Sequence, residues 1–471
     1  MGIGKQISRA FRVETSGRVL RKLMVLCMVT LYPTYCKVSS ACIDVDPSCN
    51  AAAAGLLFDF HIAHNNAGVL QWTRLLGVAG VQTEARAVTT DAAGNAYVTG
   101  FTDGNLDGGT LAGIRDLFLT KYDRKGARIW TRLLGVAAAD SWGFGVRVDH
   151  SGNIFLTGGT AGNLDGQIKS GTYDLHLIKY DSNGNRQWTR LLGVAAVLSE
   201  SFSLTLDQAS NAYISGYTDG NLDGQIRTGT RDLFVIKYDS NGNKQWTRLL
   251  GVAAAQTRSY AIAPDAEGNL YVTGSTSGAL DGQSFAGTLD LFLVRFDLNG
   301  TRTWTRLLGV PGVTTDARAV VTDGGGSVYL TGFTDGGLGG ETLTGTRDLF
   351  LAKYDRSGAR IWTRLLGVPA VVTWGFGVTT DVLGNLYVTG GTAGNLDQQT
   401  KTGTWDMHVV KYDGNGTRQW TRLLGAPAVK AEGYGTEITT DGTLYNVGYT
   451  EGNLGAEIQT GTRDLFLNQY R

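Results

Sequence analysis

The chain has 471 residues, with 42 basic and 42 acidic side chains and a formal charge of zero. This balance gives no electrostatic basis for binding nucleic acid, and we expect no nucleic-acid partner. Glycine is abundant, at 67 residues, and proline is scarce, at 6, which favours turn-rich β structure over disorder.

The first 49 residues differ from the rest of the chain and contain all four cysteines. Basic residues from Lys5 to Lys22 precede an apolar run at 23–32, and small residues then lead into Cys42, which is the layout of a secretory signal. Val38–Cys42 resembles a loose bacterial lipobox, so we expect lipidation at Cys42 and a membrane contact through that lipid only. Secretion without a lipid, an uncleaved anchor and a disulfide between Cys42 and Cys49 are the alternatives. The predicted domains are a leader at 1–41, a tether at 42–69 and a repeat domain at 70–471.

The motif Trp-Thr-Arg-Leu-Leu-Gly occurs seven times at a constant spacing of 58 residues. Its tryptophans are Trp72, Trp130, Trp188, Trp246, Trp304, Trp362 and Trp420. A fixed period of this length indicates repeated structural units in place of independent domains. We expect the tryptophans to pack between these units.

The first repeat predicts four short strands, because β-branched and aromatic runs alternate with Gly- and Asn-rich turns. The predicted strands are Gln71–Leu76, Arg86–Thr90, Ala96–Phe101 and Asp116–Tyr122. A link at Gly77–Ala85 follows the first strand, and a turn at Asp123–Gly126 leads into the next Trp motif. Four antiparallel strands per repeat, repeated seven times, predict an all-β, seven-bladed β-propeller.

The order of the strands predicts how the ring closes. The small side chains of Arg86–Thr90 suit the innermost position of a blade, which leaves the Trp strand outermost. The chain begins with an outermost strand and reaches Tyr470 where the seventh blade lacks its own. We therefore predict that the N-terminal strand pairs into the last blade and removes its open sheet edge.

The seven copies form an internal alignment in which one arginine and one aspartate occur in every copy. Folding the chain at the Asp123–Gly126 turn would bring Arg132 close to Asp116, and Arg190 close to Asp174 in the next blade. We therefore predict a cross-strand ion pair in each blade. Because every blade has both residues, the predicted role is structural.

Blades 1–3 match blades 5–7 better than they match their neighbours, at an offset of 232 residues. The sequence around Trp142 recurs around Trp374, and His176 recurs as His408. Both histidines stand between apolar residues, so we predict that they are packed in the core. A site built on these residues would occur twice, on opposite sides of the ring.

The loop after the second strand carries an Asp-x-Asn-x-Asp-Gly pattern in two repeats, which matches the first half of a calcium loop. The candidate ligands are Asp103, Asn105, Asp107, Asp219, Asn221 and Asp223. The closing glutamate is missing, because Ile114 and Thr230 stand in its place, and Asx-rich turns form without a metal. We expect no metal or cofactor, with a calcium-stabilised structural propeller as an alternative.

Three motifs recur along residues 66–471: Tyr-Val-Thr-Gly, Asp-Leu-Phe-Leu-x-Lys-Tyr-Asp and Gly-x-x-x-Trp-Thr-Arg-Leu-Leu-Gly. They resemble the bacterial seven-bladed β-propeller repeat family (SBBP), as found in spirochaete-type lipoproteins. The resemblance implies an exported, lipid-anchored propeller of the cell envelope, at the outer membrane or cell surface, or otherwise a periplasmic or secreted one. The family supplies no catalytic residues, and the chain has no nucleophile–base motif or phosphate loop.

Positions at which the copies differ are the candidates for a functional site. They lie in the links between blades, which we expect on one face of the ring beside the axial channel. The candidate ligand-binding residues are Glu84, Trp142, Glu200, Arg258, Asp316, Trp374 and Glu432. We expect a monomeric binding scaffold for a protein or glycan and not an enzyme. The alternative is a hydrolase or lyase with an acidic site at the channel mouth.

Overall fold

The computed structural model describes residues 68–471, which form 28 strands in seven four-stranded antiparallel sheets. The innermost strands of successive sheets contact one another, and the last contacts the first. The predicted seven-bladed β-propeller with four strands per blade is thus confirmed. The predicted leader, Cys42 and nearly all of the predicted tether lie outside the described residues.

The strands fall into four concentric positions. The innermost strands of blades 1 to 7 are β2 (Thr83–Thr90), β6 (Ser141–Val148), β10 (Ser199–Leu206), β14 (Thr257–Pro264), β18 (Thr315–Thr322), β22 (Thr373–Thr380) and β26 (Ala431–Ile438). The second strands are β3 (Ala96–Thr102), β7 (Ile154–Thr160), β11 (Ala212–Thr218), β15 (Leu270–Thr276), β19 (Val328–Thr334), β23 (Leu386–Thr392) and β27 (Leu444–Thr450). The third strands are β4 (Asp116–Tyr122), β8 (Asp174–Tyr180), β12 (Asp232–Tyr238), β16 (Asp290–Phe296), β20 (Asp348–Tyr354), β24 (Asp406–Tyr412) and β28 (Asp464–Tyr470). The outermost strands are β5 (Arg128–Leu134), β9 (Arg186–Leu192), β13 (Lys244–Leu250), β17 (Arg302–Leu308), β21 (Arg360–Leu366), β25 (Arg418–Leu424) and, for blade 7, β1 (Leu70–Leu76).

The ring closes through β1, which pairs antiparallel with β28 in blade 7. Thr73 lies opposite Asn468 in this pairing. Two backbone hydrogen bonds extend it, from Val69 N to Arg471 O at 2.8 Å and from Arg471 N to Val69 O at 3.0 Å. The predicted closure by the N-terminal strand is confirmed.

Hairpins between strands are fixed by aspartate side chains. In the turn after β4, Asp123 Oδ1 accepts hydrogen bonds from the backbone nitrogens of Lys125 and Ala127, both at 2.8 Å. Gly126 in this turn has a φ of +79°, a conformation that side chains disfavour. The turn therefore needs an aspartate and a glycine at these spacings.

The innermost strands begin three residues earlier than predicted. β2 starts at Thr83, whose Oγ1 lies 3.0 Å from Thr102 Oγ1, and Glu84 pairs across the sheet with Phe101. The link between blades is therefore shorter than the predicted one, and residues expected in it belong to a strand.

The hydrophobic core lies between blades and not within them. One cluster joins Tyr97, Leu117 and Leu119 of blade 1 to Val146 and Leu156 of blade 2, with Trp130 packed against it. Equivalent clusters occur at the other six joints. Each blade is stabilised by its neighbours, as a closed repeat requires.

The predicted ion pairs between Arg132 and Asp116, and between Arg190 and Asp174, are wrong. Arg132 Nε donates to Gly184 O at 3.0 Å, in the hairpin of the next blade, and Arg190 clamps the following hairpin in the same way. Asp116 instead accepts two backbone N–H groups of the loop before it, and Asp174 does the same in blade 2. The arginines thus join blades, and the aspartates order loops.

No helix within residues 68–471 has the length and apolar character needed to cross a membrane.

Candidate functional site

Each innermost strand carries a β-bulge near its first end. In blade 1, Ala85 pairs with Gly100 and Ala87 with Thr99, so Arg86 is the extra residue. The same irregularity recurs in the other six blades. The bulge residues, here called the mouth ring, are Arg86, Phe144, Phe202, Tyr260, Arg318, Phe376 and Tyr434. A bulge redirects the side chain that it carries, so these residues differ in orientation from the regular strand.

One arc of the mouth ring runs through four consecutive blades. The rings of Phe144 and Phe202 stack with their centroids 4.9 Å apart, and Phe202 meets Tyr260 edge-on at 5.7 Å. The guanidinium of Arg318 ends this arc, 4.3 Å from the centroid of the Tyr260 ring. Each of the four side chains is partly exposed.

A second arc has three side chains in a similar arrangement, and it begins with Phe376, which stands 232 residues after Phe144. The Phe376 and Tyr434 centroids lie 5.2 Å apart, and the guanidinium of Arg86 lies 4.3 Å from the Tyr434 ring. Both arcs therefore begin with phenylalanine and end with an arginine over a tyrosine.

The seven predicted ligand-binding residues stand two positions before the mouth ring, one in each innermost strand. We predicted these residues in the links between blades, but they belong to strands. The four carboxylates are buried, with Glu84 2%, Glu200 7%, Asp316 3% and Glu432 3% exposed. The three other residues, Trp142, Arg258 and Trp374, are partly exposed. The structure therefore places all seven around one mouth of the channel, with the acidic ones beneath its surface.

Two of the buried carboxylates are paired with arginines of the mouth ring. Glu84 accepts from Arg86 at 2.6 Å and from Arg463 at 2.5 Å. Asp316 accepts from Arg318 at 2.8 Å, and burial raises the pKa of its carboxyl group.

The other two carboxylates are surrounded by aromatic side chains. Glu432 accepts from the hydroxyls of Tyr434 at 3.1 Å and Tyr449 at 3.0 Å. Glu200 accepts from the Tyr217 hydroxyl at 3.1 Å, and burial raises its pKa.

The odd-numbered blades cover the rim of the mouth differently from blades 2 and 6. In blade 1, Arg115 lies 4.2 Å from the Phe101 ring centroid and donates to Asp103 at 2.7 Å. Blade 2 has Gly159 at the position of Phe101, and the Trp142 ring lies there, 5.2 Å from Tyr173. Blades 3, 5 and 7 repeat the arginine arrangement, and blade 6 repeats the tryptophan arrangement.

The predicted calcium candidates are engaged by other groups. Asp103 and Asp219 pair with Arg115 and Arg231, Asp107 with Arg128, and Asp223 with Lys244. Asn105 and Asn221 accept backbone N–H groups of their own loops. Residues 68–471 contain no group of three or more His, Cys, Asp or Glu side chains arranged to hold a metal ion.

His176 and His408 are fully buried and replace the phenylalanine found at this position in the other blades. Their Nε2 atoms lie 3.0 Å from Trp142 O and 2.8 Å from Trp374 O, so Nε2 carries the proton that is donated to these carbonyls. Burial lowers the pKa of both imidazoles from 6.5 to about 4. They are packed in the core, as predicted, and burial favours their neutral form.

The sequence profile of the beta-propeller repeat family SBBP matches six segments, at residues 71–107, 129–165, 187–223, 245–280, 303–339 and 361–397. Each segment begins in an outermost strand and continues through the first two strands of the next blade. The repeat resemblance is thus confirmed.

Two curated proteins are similar over much of the chain. The regulatory protein FlaEY of Caulobacter vibrioides is 26% identical over 400 residues, which cover 73% of this chain and 40% of that protein. An uncharacterized WD repeat-containing protein of Acanthamoeba polyphaga mimivirus is 24% identical over 364 residues, which cover 59% of this chain and 26% of that protein. The chain spans less than half the length of either relative. The lipoprotein part of the resemblance finds no support in these matches.

Among solved structures, a streptogramin B lyase aligns over 85% of this chain and 98% of its own, with 10% identity and a TM-score of 0.49. The WD40 β-propeller domain of Doa1 aligns over 85% of this chain and 96% of its own, with 9% identity and a TM-score of 0.46. Both likenesses are too distant to bear on function.

Proposed function

Because the chain belongs to the SBBP β-propeller repeat family, we propose that it is a binding scaffold that holds a protein partner at the mouth ring. The observation that carries this proposal is the make-up of that ring. Five of its side chains are aromatic, two are arginines, and all seven are partly exposed. Aromatic side chains and arginine dominate the binding energy of protein interfaces.

The rest of each blade has little freedom to specify a ligand. Its faces form the joints with neighbouring blades, and its outermost strand supplies the arginine that clamps the next hairpin. The copies differ from blade to blade at the mouth ring and at the position two residues before it. A surface that differs from blade to blade can recognise an asymmetric partner, whereas seven identical surfaces cannot.

Binding fits three of the four buried carboxylates better than catalysis does. A hydrolase or lyase needs a carboxyl group free to exchange a proton with the substrate. Glu84 and Asp316 are held by arginines, and Glu432 by two tyrosine hydroxyls. Glu200 accepts from one tyrosine hydroxyl and is the least engaged of the four. The two curated relatives carry names that describe a regulatory protein and a repeat protein, which also favours a non-catalytic scaffold.

The proposed place of action is the cell envelope, with the protein exported and lipidated at Cys42. The basic lead, the apolar run at 23–32 and the Val38–Cys42 pattern support this proposal. Protease treatment of intact cells, followed by blotting, checks exposure at the cell surface. Cys42→Ser should move the protein from the membrane fraction to the soluble fraction, and an unchanged distribution would contradict the anchor.

Site-specific photocrosslinking tests the proposed function. p-Benzoylphenylalanine is placed at Phe144 or Phe376 in the mouth ring, and at the exposed His150 near the opposite mouth as the matched control. We expect one crosslinked protein of defined mass from both ring positions and none from the control. Equal crosslinking at all three positions, or none, would overturn the proposal. Binding to a glycan without any protein crosslink would replace the protein partner with a glycan, and substrate turnover would support the hydrolase or lyase.

A further inference from the structure

Between blades 6 and 7, the side-chain ammonium group of Lys430 is held by a carboxylate and an aromatic ring of the same chain. Lys430 Nζ lies 3.1 Å from Glu432 Oε1 and 4.9 Å from the centroid of the Trp405 ring. The ammonium is thus held between a buried carboxylate and an aromatic face, where Coulomb attraction and a cation–π contact act together.

A carboxylate and aromatic side chains stand at the equivalent positions in blades 2 and 3, at the offset of 232 residues. We call this second set the acceptor cluster, and its members are Trp142, Phe144, Tyr173, Glu200, Phe202 and Tyr217. The ring centroids of Trp142 and Tyr173 lie 5.2 Å apart, as do those of Trp374 and Trp405 in the other copy, with interplanar angles of 31° and 69° respectively. Glu200 and Tyr217 form the same carboxylate–hydroxyl hydrogen bond as Glu432 and Tyr449, at 3.1 and 3.0 Å.

The acceptor cluster lacks the ammonium. Leu198 stands at the position of Lys430, and the backbone is the same in both places. Each residue forms an isolated parallel bridge, Leu198 with Tyr173 and Lys430 with Trp405. The carboxylate and the aromatic wall are therefore retained in blades 2 and 3, while the cation between them is replaced by an uncharged side chain.

Glu200 is the one carboxylate of the four that takes part in no ion pair within residues 68–471. Glu84, Asp316 and Glu432 each have an arginine or lysine nitrogen within 3.1 Å. The nearby Arg231, whose guanidinium lies 4.3 Å from the centroid of the Tyr217 ring, pairs with Asp219 at 2.5 Å instead. A buried carboxylate without a cationic partner is destabilising, and a cation that reaches it recovers this free energy.

The acceptor cluster is also the more open of the two copies. Tyr217 is partly exposed, whereas its counterpart Tyr449 is 2% exposed. Phe202 replaces Tyr434, which removes one of the hydroxyls that Glu432 receives. Glu200 therefore keeps capacity to accept further hydrogen bonds from a group that enters between the rings.

We propose that the acceptor cluster binds an alkylammonium group from outside the chain, in the arrangement that Lys430 takes in blades 6 and 7. The group is either the lysine side chain of a protein partner or a free amine. This inference rests on the proposed function of the mouth as a binding surface and names the chemistry that it recognises there.

The test uses ¹⁹F NMR of the protein labelled with 5-fluorotryptophan. The chain has 10 tryptophans, and the variants Trp142→Phe and Trp374→Phe assign the two resonances of interest. The protein is titrated with n-butylammonium chloride, and n-pentanol serves as the uncharged control. We expect the Trp142 resonance to shift with n-butylammonium and not with n-pentanol, and the Trp374 resonance to stay in place.

Two variants exchange the residues at the equivalent positions 198 and 430. Leu198→Lys supplies the missing ammonium, so the Trp142 response should be lost. Lys430→Leu empties the other copy, so the Trp374 resonance should begin to respond. Glu200→Gln should weaken binding at Trp142 by at least about tenfold, because the partner of the cation is neutralised. Thermal melting confirms that each variant is folded, and Lys430→Leu keeps the test valid if Leu198→Lys does not fold.

No response of Trp142 in the wild type, an equal response to n-pentanol, or a response that survives in Leu198→Lys would overturn the inference. The source is distinguished with Nα-acetyl-lysine N-methylamide. Tighter binding than n-butylammonium assigns a lysine side chain, and equal or weaker binding assigns a free amine. Crosslinks at the mouth ring without a Trp142 response would support the binding scaffold and overturn the ammonium site. A Trp142 response without crosslinks would leave the ammonium site standing and would remove the protein scaffold.

Discussion

The two buried histidines predict a specific sensitivity to acid. His176 and His408 are fully buried, and their Nδ1 atoms have no hydrogen-bond partner among the described residues. Burial lowers the pKa of each from 6.5 to about 4. The folded protein therefore keeps both imidazoles neutral at pH values at which the unfolded chain protonates them.

The sign and the size of the effect follow from proton linkage. Between pH 6.5 and pH 4 the unfolded state binds more protons than the folded state, so the free energy of unfolding falls as the pH falls. With these pKa values, lowering the pH from 7 to 5 destabilises the fold by about 2 kcal/mol for each histidine. The two sites lie in different blades, so we expect their effects to add to about 4 kcal/mol.

The assay is urea unfolding at pH 7 and pH 5 of the wild type and of the double variant His176→Phe, His408→Phe. Phenylalanine occupies this position in the other five blades, so the replacement fits the repeat. The loss of stability between the two pH values should be smaller by about 4 kcal/mol in the variant. Carboxylates common to both proteins cancel in this comparison, and His150→Gln, at an exposed position, should behave like the wild type. The same pH dependence in wild type and double variant would refute the reasoning.

Three further predictions concern the joints and turns. Gly135→Ala should lower the free energy of unfolding by about 2 kcal/mol, because a Cβ there would lie 1.7 Å from Asp116 Oδ1 and displace a carboxylate that orders a loop; a melting temperature equal to that of the wild type would contradict this. Arg132→Ala should cost about 1–2 kcal/mol through the lost clamp on the next hairpin, measured by chemical unfolding, and no change would show that the clamp contributes nothing. The double variant Asn446→Val, Asn468→Ile should raise the free energy of unfolding by about 2 kcal/mol, because both amides have buried polar atoms without hydrogen-bond partners at the joint of blades 6 and 7. A lower urea midpoint in the double variant would show that these amide atoms do form hydrogen bonds.

The fold could be predicted from the sequence because its determinants are local and repeated. The spacing of the Trp motif indicated the number of blades, and the Trp strand that precedes the first innermost strand indicated the closure by β1. Turn residues such as Asp123 and Gly126 marked the hairpins within one residue of their observed positions. A strict repeat allows each of these inferences to be checked seven times within one chain.

The arginine contacts could not be predicted, because they join blades and not neighbouring strands of one sheet. In the observed register Arg132 lies opposite Leu119, three residues beyond Asp116. Its guanidinium reaches the hairpin that contains Gly184, which is far along the chain. Strand periodicity describes pairing within a sheet and carries no information on which hairpin of the next sheet comes close.

The mouth ring was missed for a related reason. A bulge breaks the alternation of side chains, and the sequence offers no signal for the extra residue. The one available indication was a large aromatic or arginine residue, such as Phe144 or Arg86, within an otherwise small-residue strand. Instead the variable positions two residues earlier were identified, and these lie directly beneath the ring.

Glu200, which has no ion-pair partner among residues 68–471, says more about the chemistry of the ligand than the aromatic residues around it do. The position of Glu200 accepts quite different side chains in other blades, including Trp142 and Arg258, so the fold does not need a carboxylate there. An apolar residue would avoid burying a charge, and Lys430 shows how the chain can neutralise one when it supplies the cation itself. Blade 3 has the buried charge without the internal cation. Violations of local stability of this kind are typical of functional sites, and the missing charge defines the ligand more narrowly than the shape of the mouth does.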